Sequence, residues 1–275
     1  MCLSSNLVVS ENGEGYERRA YCVAALAIIL VSVVFAVWNL YPDLHGVGAC
    51  LDLLTVIASA AAFWASLRVL EKQRGILYDL LRAPWFYISA GLGLWLVAET
   101  IWFIYAAFLG RPLEVSLADS MWLSGYVSMI FGLYRGIKPL ASISKDVKQV
   151  SRKVRLATVI PIALGVLLLA LVITSAPREV IAKEPQVVVI DNLYMILDLV
   201  LLALTLQRVA FFYGGKVAKG PALFSLGLAL MAISDMPYFV AGGYYPGNLL
   251  DLIYVISYIV IATGIYIYSK QPPVA

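Results

Sequence analysis

Eight long apolar runs divide this chain and leave it one kind of fold. They are Ala20–Tyr41, Val47–Leu70, Trp85–Leu109, Ser116–Tyr134, Leu156–Ala176, Val187–Phe212, Ala222–Ala241 and Asn248–Tyr268. Each suffices to cross a hydrocarbon core of roughly 30 Å, which takes about 20 helical residues. Lipid offers no partner to backbone N–H and C=O groups, so a span must be a helix or part of a closed barrel. The polar residues within these runs recur at three- and four-residue steps, the helical period, where a barrel strand would alternate. At 62% apolar and 13% charged, with a mean hydropathy of +0.88, the chain is unlike a soluble domain, in which about a quarter of residues are charged. The expected fold class is an all-α integral membrane protein. Its eight transmembrane helices form two parallel four-helix tandem repeats.

Basic residues set the orientation. With the amino terminus inside, all but Arg111, Arg178 and Lys183 of the 20 Lys and Arg fall on the cytoplasmic side. That asymmetry is the positive-inside pattern, and it puts both termini in the cytoplasm. The net charge of +3 is accounted for by topology and implies no nucleic-acid partner. Met1–Tyr16 is polar, with neither a short apolar core nor a small-residue cleavage site, so the first helix is expected to act as its own signal-anchor. Cys2, Cys22 and Cys50 are widely spaced, which disfavours a disulfide or a metal site.

The repeat is visible in the residues. Ser89-Ala90-Gly91-Leu92-Gly93-Leu94, followed by Glu99 and Trp102-Phe103, recurs as Ser225-Leu226-Gly227-Leu228-Ala229-Leu230, followed by Asp235 and Tyr238-Phe239. Past a loop four residues shorter, Asp119, Trp122, Tyr126 and Gly132-Leu133-Tyr134 recur as Asp251, Tyr254, Tyr258 and Gly264-Ile265-Tyr266. Asp52, Thr55 and Ser59 likewise match Asp191, Tyr194 and Asp198. The expected organisation is a cytoplasmic tail (1–19), a first four-helix repeat (20–137), a basic linker (138–155), a second repeat (156–270) and a short tail (271–275). The linker, with Lys145, Lys148, Arg152 and Lys153 around a valine stripe, is either an interfacial helix meeting anionic lipid or a solvated topology signal. Glu71–Arg82 is a second interfacial candidate, expected to end at Pro84. Pro161 and Pro237 fall inside spans, where each frees a carbonyl.

The membrane acids all sit in the outer half. Asp52, Asp119, Asp191 and Asp251 occupy first outer turns, where carboxylates cap free N–H groups and suit the helix dipole. Glu99, Asp198 and Asp235 lie deeper, roughly 10–18 Å in at 1.5 Å per residue, with no Lys or Arg at the depth of Glu99 or Asp235. A charge there is costly and marks a functional candidate by default. Three resolutions stand open: protonation, a water-filled vestibule, or a bound cation or hydroxyl-rich ligand with aromatic faces adding cation–π attraction. The expected ligand site pairs Glu99 and Asp235 centrally, with Asp198 as third deep acid. Trp102 and Tyr238 form its walls, Asp119 and Asp251 its mouth, and Tyr126 and Tyr258 share the faces of those last two acids.

Several chemistries lack their residues. The single histidine, His45, excludes bis-histidine haem and disfavours a zinc hydrolase. No lysine lies within a span to form a retinal Schiff base, and no Ser–His or Cys–His pair is available for nucleophilic catalysis. The paired Gly91 and Gly93 sit in a helix, where small residues mean close packing. No enzyme activity, metal or cofactor is expected.

Ala98-Glu99-Thr100-Ile101-Trp102-Phe103-Ile104-Tyr105, then Val115-Ser116-Leu117-Ala118-Asp119-Ser120-Met121-Trp122-Leu123-Ser124-Gly125-Tyr126 and Gly132-Leu133-Tyr134, resembles the multi-helix membrane modules that precede diguanylate cyclase and histidine kinase domains in prokaryotes. Those modules carry an acid-Trp-Tyr helix, a Pro-Ser-x-Ala-Asp loop and a Tyr-rich helix ending in Gly-Leu. Here Val115 replaces the proline. The resemblance implies a sensory or small-ligand-binding role. Only five residues follow Lys270, so signalling is expected to pass through a separate protein partner at the basic loops. The alternatives are an accessory subunit of a larger membrane complex and a proton- or cation-coupled transporter. The acid-poor inner halves argue against the transporter.

Overall fold

A computed structural model of the chain describes residues 4–41, 46–72, 79–109, 115–143, 185–212, 219–241 and 247–271, with scattered helical positions between 156 and 167. Every regular element among the described residues is helical: α1 (Ser4–Leu40), α2 (Val47–Lys72), α3 (Asp79–Ile104), α4 (Leu117–Ile143), α5 (Pro185–Phe212), α6 (Lys219–Ala241) and α7 (Leu249–Lys270). The last turn of α3 widens into a π-helix over Tyr105–Leu109. Five stretches are long and apolar enough to cross a membrane: Gly15–Leu40, Val47–Lys72, Arg82–Leu109, Asn192–Val209 and Leu249–Lys270. Among the described residues the fold is all-α, with the helix lengths and apolar character of a membrane protein. The expected fifth span, Leu156–Ala176, and the linker beyond Ile143 lie almost wholly outside the described residues.

Three helices outrun the apolar stretches that announced them. α1 begins at Ser4 rather than Ala20, α4 continues past Tyr134 to Ile143, and α3 begins at Asp79 with Pro84 inside it. Pro84 therefore does not terminate a helix as expected. Apolarity stops at the membrane boundary, but the i→i−4 hydrogen-bond ladder has no reason to stop there.

The tightest pairs are α3 against α4 and α6 against α7. Glycine permits both. A Cβ on Gly125 would meet Trp95 Cδ1 at 2.4 Å and the Gly91 carbonyl at 2.9 Å, and one on Gly227 would meet Ile261 Cγ1 at 2.5 Å and the Ser257 carbonyl at 2.9 Å. Backbones this close pack as small-residue membrane pairs do. α2 beds against α3 and α7, α5 against α6 and α4, and α1 lies along α7 and α2. Ile88, Leu92, Trp95, Met129, Leu133, Met231, Tyr258 and Ile261 form the fully buried centre. α1 turns Val23, Leu26, Ile29, Leu30 and Val33 outward, the composition of a lipid-facing stripe.

Polar ties close the end where α1 starts and α7 stops. Lys219 Nζ donates to Glu17 Oε2 at 2.6 Å, an exposed pair that raises the Lys219 pKa through the neighbouring carboxylate. Lys72 Nζ donates to the Ser269 carbonyl at 3.1 Å and to the Gln271 carbonyl, meeting acceptors that the α7 C-terminus leaves open.

Candidate functional site

The amino-terminal ends of α4 and α7 are built by their capping residues. Ser116 Oγ accepts the Ala118 N–H at 3.2 Å, while Asp119 Oδ2 accepts the Ser116 N–H at 2.7 Å and its hydroxyl at 3.1 Å. This reciprocal box satisfies two amides that a helix start otherwise leaves orphaned. On α7, Asn248 Oδ1 accepts the Leu250 N–H at 2.7 Å and Asp251 Oδ2 the Gly247 N–H at 2.8 Å. Gly247, at φ +89°, takes a left-handed turn that glycine adopts without penalty. Capping does not exhaust Asp119, whose Oδ1 accepts the Tyr194 hydroxyl of α5 at 3.0 Å.

One helical turn or more below lies Glu99, 4% exposed. Three donors converge on its Oε1: Trp122 Nε1 at 3.0 Å, Tyr254 Oη at 2.7 Å and Tyr258 Oη at 2.7 Å. Tyr254 and Tyr258 are four residues apart on one face of α7, so both reach the same oxygen. Trp102 touches the site at one remove, its ring 5.8 Å from that of Trp122. Trp95 Nε1 donates to the Trp122 carbonyl at 3.1 Å, and its ring meets Tyr126 and Tyr258 edge-on at 4.8 and 6.1 Å. The indole of Trp95 thus sets the positions of the tyrosines that surround the acids.

The second deep centre joins α5 and α6. Tyr126 of α4 donates to Asp198 Oδ1 at 2.5 Å, while the enclosed Asp198 Oδ2 meets no donor. Asp235 lies within electrostatic reach of Asp198. Ser234 Oγ is 3.4 Å from Asp235 Oδ1 but closer, at 2.6 Å, to the Met231 carbonyl.

These centres form one field. Asp235 lies within electrostatic reach of Glu99, and Asp52 within reach of Glu99 and Asp251. The acids come from six helices: Asp52 on α2, Glu99 on α3, Asp119 on α4, Asp198 on α5, Asp235 on α6 and Asp251 on α7. Among the described residues no Lys or Arg forms an ion pair with Asp52, Glu99, Asp119, Asp198 or Asp235, and no three His, Cys, Asp or Glu are disposed as metal ligands. Such a cluster can hold and exchange protons, or trade its tyrosine donors for a cationic or hydroxylated ligand.

Of the expected site residues, Glu99, Asp198, Asp235, Tyr126 and Tyr258 are brought together. Asp119 and Asp251 stand at the starts of α4 and α7 as helix caps, and Trp102 backs Trp122. The side chains of Tyr238 and Asp191 lie outside the described residues. Trp122, Tyr254 and Tyr194 carry contacts that the sequence did not assign to them. Their periodicity placed them beside Asp119, Asp251 and Asp191 on their own helices, but a partner on another helix leaves no mark in periodicity. Comparison with protein-family models, curated proteins and solved structures finds no match to this chain.

Proposed function

We propose that the chain is a multi-pass cell-membrane sensory or small-ligand-binding module. Its outward-facing acidic and aromatic cluster receives a proton or a small cationic or hydroxylated ligand, and its response passes to a separate protein partner. The observation that carries this reading is Asp198, whose buried Oδ2 meets no donor while Oδ1 takes the Tyr126 hydroxyl. A buried carboxyl oxygen without a donor is a place where the occupancy of a proton or cation matters to the surrounding helices.

Two further observations support the reading as a duplicated unit. Gly91 meets Gly125 and Met129 where Gly227 meets Ser257 and Ile261, and Gly132 meets Pro84 where Gly264 meets Gly220; each pair of crossings occupies matching positions of the repeat. The tyrosines are exchanged between copies: Tyr258 of the second reaches Glu99 of the first, and Tyr126 of the first reaches Asp198 of the second. Losing or gaining a charge at either acid therefore changes the contact between halves, the two-state element a sensor needs. The charge asymmetry puts the acids outside and the basic loops inside, where a partner would read the change.

A second reading draws on Glu99 alone. Its Oε1 is saturated by internal donors, as helix-to-helix glue in an accessory subunit would be. Reconstituted protein titrated with acid and with organic and alkali cations separates the two, Trp95, Trp102 and Trp122 serving as fluorescent reporters beside the site. The sensory reading expects a saturable emission change lost in Asp198→Asn and in Glu99→Gln. A flat response in wild type, with a stoichiometric protein co-purifying in mild detergent, replaces it with the subunit reading.

A further inference from the structure

Arg208 lies at the opposite end of the bundle from the acids. It sits just before the last turn of α5, 8% exposed, where α5 and α7 end and α3 and α6 begin. Among the described residues its guanidinium has no carboxylate partner. It stands 6.0 Å above the Trp85 ring, which stacks on Tyr268 at 5.1 Å. It also borders α4, where a Cβ at Gly136 would be in ordinary contact with its Cζ and Nη2 at 3.5 Å. Thr205 spends its hydroxyl on the Leu201 and Leu202 carbonyls. Beside the guanidinium is a cavity of about 20 Å³, lined also by Ser225 and Gly264. A void of roughly 10–15 Å³ holds one water-sized atom, so this one admits a single oxygen.

An arginine is always charged, and buried without a counter-ion it is strongly disfavoured. Its planar fork matches a phosphoryl group, and the Trp85 face, itself backed by Tyr268, favours the cation. We infer that Arg208, with Trp85 and Tyr268, forms an anion site that takes one oxygen of a phosphoryl group, presented at this end of the bundle. The site is independent of the acidic cluster and of the role proposed for it. An anionic phospholipid headgroup and a soluble phosphate share this chemistry, and the experiment tells them apart.

The protein is placed in nanodiscs of phosphatidylcholine alone or with phosphatidylglycerol, and its melting temperature and lipid retention in native mass spectrometry are measured. Phosphatidylglycerol should raise the wild-type melting temperature and stay bound. Both effects should vanish in Arg208→Met and persist in Arg68→Gln, an exposed arginine paired with Glu71. Stabilisation by inorganic phosphate in phosphatidylcholine discs, again dependent on Arg208, would assign a soluble phosphate. Equal responses in wild type and Arg208→Met to both probes overturn the site. Should Arg208→Met fail to fold, Arg208→Lys keeps the charge without the fork, and an undiminished response in that variant overturns the geometry.

Discussion

At Asp198 a single hydroxyl decides the environment of a buried carboxyl group. Tyr126→Phe deletes the donor at 2.5 Å and leaves the ring in place. The expected loss is about 1–3 kcal/mol, the cost of leaving a buried polar group without its partner, measured by denaturant unfolding in detergent. A double-mutant cycle with Asp198→Asn should show a coupling above about 0.5 kcal/mol; strict additivity would show that the short contact contributes nothing. Glu99→Gln keeps an acceptor for Tyr254 and Tyr258, so the fold should survive while proton or ligand linkage disappears. A variant that titrates as wild type makes Glu99 a purely structural acceptor. That Glu99, Asp198 and Asp235 are carboxyl groups set among apolar residues was legible in the sequence, because acids are rare in apolar runs. That Trp122 and Tyr254 serve Glu99 was not, because each looked like the companion of a nearer acid.

Between elements, the α3–α4 and α6–α7 crossings depend on missing methyl groups. Gly125→Ala places a Cβ 2.4 Å from Trp95 Cδ1, and Trp95, 1% exposed, has nowhere to retreat. Overpacking of this kind costs roughly 1–3 kcal/mol. It should also lower tryptophan anisotropy, since Trp95 positions Tyr126 and Tyr258. Gly93→Ala is the contrast: its nearest neighbour is the half-buried Phe63 ring at 3.1 Å, which can tilt. Thermal melts of the two should differ clearly, and equal melts would remove the close crossing as a source of stability. At the start of α4, Ser116→Ala should cost about 1 kcal/mol as a lost cap, without changing a response that depends on Asp198. The helix ends were the least legible part. Pro84 looked like a terminator, yet α3 absorbs it five residues after Asp79, since a proline near a helix start removes few ladder bonds.

For the whole molecule, the charge asymmetry predicts that membrane-impermeant reagents label Lys145 and Lys153 only after the cytoplasmic face is opened. Labelling from outside would invert the topology and move the acidic cluster to the inner side. The shared field of Glu99 and Asp235 carries a second expectation. Glu99→Ala and Asp235→Ala should impair ligand- or proton-linked fluorescence to a similar extent, and a wide disparity would mean that the two halves have diverged in role.

The sequence by itself determined that the chain is helical and membrane-embedded, because lipid leaves an apolar backbone no other way to satisfy its hydrogen bonds. It also marked the costly residues, since burial of a carboxyl group is penalised wherever it occurs. Only the tertiary structure decided which helix face meets which: that α7 turns Tyr254 and Tyr258 to Glu99, that Tyr126 crosses to Asp198, and that Arg208 closes the far end. Those pairings follow from the rotation and approach of whole helices, set jointly by glycine contacts and aromatic packing across the bundle, and no local period encodes them.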